Sequence, residues 1–210
     1  MKTVISFLLV ILAIEIHGSV IRERRQYQMD QIKFINDFNS NRRLVANQAN
    51  VSDMWKIEWS QELVEKAFTM KDDHCLAIRP SFNYRFFYHE GNEDALKYEV
   101  NWLTWFQNRA AIFGEKDPLI EKEQKGMLER TGYILERVHP LQSKVGCIPM
   151  NCEFDIKMEN LTPVVTYHLK YRYLCLIGPN GQFPTGVHNG PPASACGSGG
   201  HNEDGLCVAN

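Results

Sequence analysis

Six cysteines stand behind an apolar N-terminal run in this chain of 210 residues, and that pairing constrains the fold more than any other feature. Val4 to Ile14 is apolar but for Ser6, follows Lys2, and is trailed by Gly18 and Ser19. The run is shorter than the ~20 residues a membrane span needs. Residues 1–18 therefore read as a secretory signal peptide cut after Gly18. An even number of cysteines in a secreted chain implies a disulfide framework. Cys75, Cys147, Cys152, Cys175, Cys196 and Cys207 admit fifteen pairings, among which sequence does not choose. A zinc site would need paired C-x-x-C or histidine spacing, and neither is present. The mature chain is thus expected to be extracellular, with no membrane span. Asn50-Val51-Ser52 and Asn160-Leu161-Thr162 become glycosylation sequons in that setting, although Pro163 lowers the use of the second. Arg22-Glu23-Arg24-Arg25 has the R-x-R-R form that secretory convertases cut, with a short solvated tail as the bland reading.

Charge excludes one class of partner. The formal net charge is −2, and removing residues 1–18 deletes Lys2 and Glu15 and leaves it unchanged. Nucleic-acid binding needs a positive excess, so none is expected. About 190 mature residues suggest one domain.

The order of elements suggests an α+β class. Tyr27 to Asn47 reads as a helix, with Phe34 and Phe38 four apart on one stripe. Ser60 reads as the N-cap of a helix that carries Leu63, Val64, Ala67 and Phe68 on one face. Residues 82–90 are aromatic-rich and form a strand or an ordered loop. Glu93 to Phe113 reads as a helix whose core stripe is Leu96, Val100, Leu103 and Ala110. Residues 114–126 read as a charged loop around Pro118, and a short helix is expected near Met127 to Arg137. Lys144 to Cys147 and Cys152 to Ile156 read as paired strands. Val165 to Cys175 alternates strictly and marks a strand with one buried face, which places His168 on the solvated side. From Gly178 on, Gly, Pro, Asn and Ser dominate. That tail has little to bury, so bridges must hold it.

Several segments then line up in one order. Phe38-Asn39-Ser40-Asn41-Arg42 resembles an HN-x-x-R motif. Trp59-Ser60-Gln61-Glu62-Leu63 with Ala67 resembles W-[DS]-x-E-L…A. Val145-Gly146-Cys147 with Cys152 and Cys175 resembles a V-G-C…C…C block, and Gly178-Pro179-Asn180-Gly181 a P-x-G-N turn. Cys196 and Gly205-Leu206-Cys207 resemble a terminal cysteine-containing extension. The chain therefore resembles the CAP superfamily of cysteine-rich secretory, antigen-5 and pathogenesis-related-1 proteins, in particular its nematode secreted members. The resemblance implies an α-β-α sandwich, with a central antiparallel sheet between helical layers. It divides the chain into a signal peptide (1–18), an N-terminal tail (19–29), a CAP domain (30–178) and a C-terminal extension (179–210). It also implies the bridges Cys75–Cys152 and Cys147–Cys175, which leaves Cys196–Cys207 for the extension.

The same resemblance implies a metal-binding cleft of two histidines and two glutamates, and here the positions hold other residues. Arg79 stands for one histidine, Tyr133 for the other and Asn108 for one glutamate. The second glutamate should fall near residues 84–90, where Glu90-Gly91-Asn92 is a scrambled echo. An arginine cannot ligate a metal and an amide cannot act as a base. No metal or other cofactor is expected, and no catalytic residue is assigned. A relocated site using His74, His89 or His139 is the counter-reading. No G-x-S-x-G, H-E-x-x-H or P-loop is present.

The expectation is a non-enzymatic secreted protein that binds an unknown extracellular protein. The alternative is a lipid or sterol carrier, with which Tyr84 to Tyr88 and the Trp102, Trp105 and Phe106 group are compatible. A residual hydrolase is the third reading.

Overall fold

The computed structural model describes residues 29–70, 81–114, 116–129, 134–159, 161–182 and 188–210. The chain divides into two compact units, Met1–Phe34 and Ile35–Asn210. In the first, Asp30 caps the start of a helix by accepting from the Lys33 amide (3.0 Å). That helix, α1, runs over Gln31–Ala49.

In the second unit, β1 (Glu58–Trp59) leads into α2 (Gln61–Thr69), and β2 (Arg85–Gly91) into α3 (Glu93–Phe113). Then come α4 (Pro118–Glu129), a 3-10 helix (Ile134–Val138), β3 (Lys144–Met158) and β4 (Val165–Gly178). The hairpin β5 (Gly200–Glu203) and β6 (Leu206–Ala209) closes the series. The main sheet has the order β1-β3-β4-β2. It is antiparallel except where the two residues of β1 run parallel to β3. The chain is thus α+β around a central sheet.

Side chains alternate across a strand, and β2 shows the layering. Phe86 and Tyr88 join the core cluster with Val64 and Ala67 of α2 and Ala95, Tyr98 and Trp102 of α3. Phe87, between them, meets Phe38 of α1 (5.8 Å between rings). Helices therefore cover both faces. On β4, Tyr167, Leu169 and Tyr171 are buried while Thr166, His168, Lys170 and Arg172 are exposed. From Tyr173 to Gly178 every residue is buried, because there both faces are covered.

Local chemistry explains the element ends. Ser60 accepts from the Leu63 amide at the start of α2. A Cβ on Gly146 would lie 2.6 Å from the Ser60 carbonyl and the Val64 amide. Only glycine lets α2 approach β3 so closely. Asn92 caps α3 by accepting from the Ala95 amide (2.9 Å). Its side chain also donates to the His168 carbonyl and accepts from the Lys170 amide, which covers the β4 edge beyond β2.

Four sequence expectations need correction. Residues 118–126 of the expected loop are helix, the first part of α4. Pro118 occupies the first helical turn, where its missing N–H costs nothing, and Asp117 caps it by accepting from the Leu119 and Ile120 amides. The short helix expected near Met127 to Arg137 is instead the end of α4 and, beyond residues 130–133, the 3-10 helix. The segments at Lys144 and Cys152 do not pair with each other. They are one long strand with a bulge between Pro149 and Cys152, and both pair with β4. A proline inside a strand marks such an irregularity. The fourth correction concerns α3, which buries Ala95, Tyr98, Glu99 and Trp102. Leu96 and Val100 are 56% and 60% exposed.

Two bridges join described cysteines: Cys147–Cys175, across β3 and β4, and Cys196–Cys207. Cys152 is also disulfide-bonded, while Cys75 lies outside the described residues. The tail has more than a bridge to hold it. Leu206 is fully buried with Ala46, Val51 and Met54 in a small second core. The Cys207 amide donates to the Met54 carbonyl and its own carbonyl accepts from Lys56 (2.8 and 2.9 Å).

Candidate functional site

Two of the interior arginines are committed to holding the fold. Asn39 brackets the backbone of Ile57, donating to its carbonyl (2.9 Å) and accepting from its amide (2.7 Å). One helical turn on, Arg42 is fully buried. All five of its N–H groups find carbonyls: Nε on Trp55, Nη1 on Arg137 and His139, Nη2 on Pro140 and Gln142 (2.8–3.1 Å). Burial lowers its pKa to about 9, which leaves it charged at neutral pH. Arg85, at the start of β2, clasps Glu136 of the 3-10 helix and donates through Nη1 to the Gly181 carbonyl (3.0 Å). Burial pushes the Glu136 carboxyl up, against the pull of Arg85.

A third arginine sits in a different setting. Arg137 donates through Nη2 to the Tyr88 carbonyl (2.9 Å) and lies over the Phe87 ring (5.4 Å). Its Nε is buried with no hydrogen-bond partner. Glu99 of α3 is buried and accepts from the Tyr171 hydroxyl (3.1 Å). Burial raises the Glu99 pKa, while Arg137 and the Tyr171 hydrogen bond oppose that rise. His89 of β2 packs on Tyr173, and its pKa falls to about 4 through burial and then Arg137. Tyr171 stacks on Tyr88 (5.0 Å), and burial raises both phenols. The cluster holds one neutral imidazole, one carboxyl that keeps its proton longer than usual, and one fixed cation. Its field favours an anion. A divalent cation between His89 and Glu99 would meet the guanidinium that already depresses His89.

A second feature lies between α3, α4 and the end of β3. It is a groove of about 370 Å³, and Tyr98, Trp102, Trp105, Leu119, Ile156 and Met158 supply its apolar wall. Lys122, Lys157, Glu123 and Glu159 complete the lining. Glu123 accepts from the indole N–H of Trp102 (3.2 Å), which ties α4 to α3. Volumes of this order are usual for small-ligand sites.

Comparison with known proteins places the chain among distant structural neighbours. No family model matches, and no curated protein matches. Among solved structures, hookworm platelet inhibitor is 18% identical, with 88% of this chain and 93% of that one covered and a TM-score of 0.48. Na-ASP-1 is 16% identical over 85% and 45% (TM-score 0.36), and manganese-bound Ac-ASP-7 is 14% identical over 84% and 86% (TM-score 0.40). All three are nematode CAP proteins.

Of the positions that stand for the CAP metal site, Arg79 and Tyr133 lie outside the described residues, as does His74. Asn108 is exposed on α3. Glu90 is exposed at the end of β2, with Arg172 Nη1 3.6 Å from its carboxylate. The carboxyl that α3 turns inward is Glu99, and its spacing from Ala95, Tyr98 and Trp102 is the sequence signal for that face. His139 is buried, and its Nε2 bonds the Gln182 carbonyl (2.9 Å). His168 is exposed and pairs with Asp155 (2.7 Å). Among the described residues no three His, Cys, Asp or Glu side chains are grouped as metal ligands. Asn50 is exposed at the end of α1, and Asn160 lies outside the described residues.

Proposed function

We propose that the chain is a secreted CAP-like protein that binds an extracellular protein and catalyses no reaction. The observation that carries the reading is the outer face of α3. Leu96 and Val100, four apart on that face, are 56% and 60% exposed. Large apolar side chains displayed together mark contact surfaces. Two bridges among the described residues, and a third at Cys152, favour an oxidising compartment. In this reading residues 30–178 are the binding domain, 179–210 its extension, and Arg79, Asn108 and Tyr133 replace a metal site. The Arg137 cation beside His89 and Glu99 supports the absence of a metal there.

The test is proximity labelling on intact cells with the mature protein and its Leu96→Glu, Val100→Glu variant. The expected result is a discrete labelled surface protein that the variant loses. Equal labelling by both would overturn the reading. Zinc titration by calorimetry covers the catalytic counter-reading: no saturable heat is expected, and tight binding lost in His89→Ala or His74→Ala would overturn it.

The groove favours the second reading, a lipid carrier, because its apolar wall is open at Leu119. Lipid extraction and mass spectrometry of the purified protein test it. A bound lipid is expected on that reading, and a clean extract would count against it.

A further inference from the structure

The charges around the α3–α4 groove are balanced and mostly uncommitted. Lys122, Lys157 and Glu159 are exposed at its rim, and none is in an ion pair among the described residues. Glu123 is half-buried, fixed by the Trp102 indole N–H. Trp102 is itself stacked on Phe106 (5.5 Å), which makes that wall rigid. Trp105, half-buried, is the indole left partly open to the groove. The groove thus offers two ammonium groups, two carboxylates and aromatic rings within one lining.

We propose that this groove binds a zwitterionic headgroup of the phosphocholine type, with the quaternary ammonium against Trp105 and Glu123 and the phosphate on Lys122 and Lys157. The inference rests on the lipid-binding reading and narrows it to a ligand class. A simple fatty acid fits less well, because its single negative charge would satisfy the lysines and leave two carboxylates facing it. A primary ammonium fits less well too. It carries three N–H donors that need acceptors once water is stripped away; Glu123 can accept from one side, and the indole face on the other side supplies no acceptor for the rest. A quaternary ammonium has no N–H to satisfy and is attracted to the face of a tryptophan. The phosphate then takes up the lysines, which act on it as point charges.

The experiment is a titration of the full mature protein with phosphocholine, phosphoethanolamine and decanoate, followed by tryptophan fluorescence and by calorimetry. Phosphocholine should bind saturably, and phosphoethanolamine roughly tenfold more weakly. Trp105→Leu should lose roughly tenfold in phosphocholine affinity. Lys122→Ala, at an exposed position that leaves packing intact, should weaken phosphocholine and spare choline itself. Equal affinity for phosphocholine and phosphoethanolamine, or no effect of both substitutions, overturns the proposal. Saturable decanoate binding without phosphocholine binding overturns it and leaves the lipid reading standing. If all three ligands fail and the extract holds no lipid, both fall.

Discussion

Arg85 and Glu136 face each other with neither side chain open to solvent beyond 3%, joined by hydrogen bonds of 2.8–3.0 Å. The pair fastens the 3-10 helix to the first residue of β2, and so sets the position of the next residue, Arg137. Removing one partner leaves a buried charge uncompensated. Glu136→Ala is expected to lower stability by about 3–5 kcal/mol. Arg85→Met with Glu136→Met should cost clearly less than the sum of these two changes made singly, as urea unfolding of the four proteins in a double-mutant cycle would reveal.

Arg42 makes a second prediction because its donors are exhausted. Five carbonyls from two separate segments converge on it. A lysine has three donors on a point-like head, so Arg42→Lys loses at least two of the five hydrogen bonds, although the Pro140 and His139 carbonyls keep the Trp55 and Gln142 amides. A hydrogen bond to a charged group is worth about 1.5–3 kcal/mol. The expected loss is therefore at least about 3 kcal/mol, with charge unchanged, measured by denaturant midpoint.

Acid should destabilise the fold in a definite window. Burial holds both His89 and His139 at about 4 in the folded protein, against about 6.5 for an exposed histidine. The neutral folded forms lose ground as the unfolded chain takes up protons. The histidine contribution is full above about pH 6.5 and falls as the pH drops towards 4, while the raised Glu99 and Glu136 carboxyls hold protons in the folded state and oppose that fall. The histidine contribution is therefore read as a difference: across this window the pH slope of unfolding free energy should be lower in His89→Gln than in the parent by about one proton.

The tail should loosen locally when its bridge is removed. Cys196 and Cys207 close a loop with a separation of 11 residues, which is expected to contribute roughly 2–3 kcal/mol. In Cys196→Ser, Cys207→Ser, hydrogen exchange should accelerate over residues 188–210. It should do so less around Met54 and Lys56, where backbone bonds and Leu206 remain.

Asn50 supplies a fifth. It is exposed, with a left-handed backbone (φ 52°) that ends α1. Secreted protein should lose one glycan's mass in Asn50→Gln, read by electrophoresis before and after glycosidase.

Much of this architecture was legible in the sequence where the pattern was periodic or the cap was chemical. β4 alternates from Thr166 to Tyr173 as read, Ser60 caps α2, and α3 has the bounds expected of it. The failures share a cause. Pro118 reads as a breaker until Asp117 is recognised as a cap. Leu96 and Val100 read as core because hydrophobicity, not the neighbouring Glu99, was used to choose the face of α3. The burial of Glu99 depends on Tyr171, seventy-two residues away, and no local pattern encodes that. The polar cluster needed the fold to be assembled, whereas Asn39 and Arg42 were visible as a motif although their role was not.

The small second core joins Ala46, Val51 and Met54 to Leu206. During synthesis the first three leave the ribosome long before the fourth exists. The far end of α1 must therefore wait, greasy side uncovered, until almost the whole chain has been made. Any truncation or fusion that delays β6 would prolong the interval in which that end of the helix is available to chaperones or to other nascent chains.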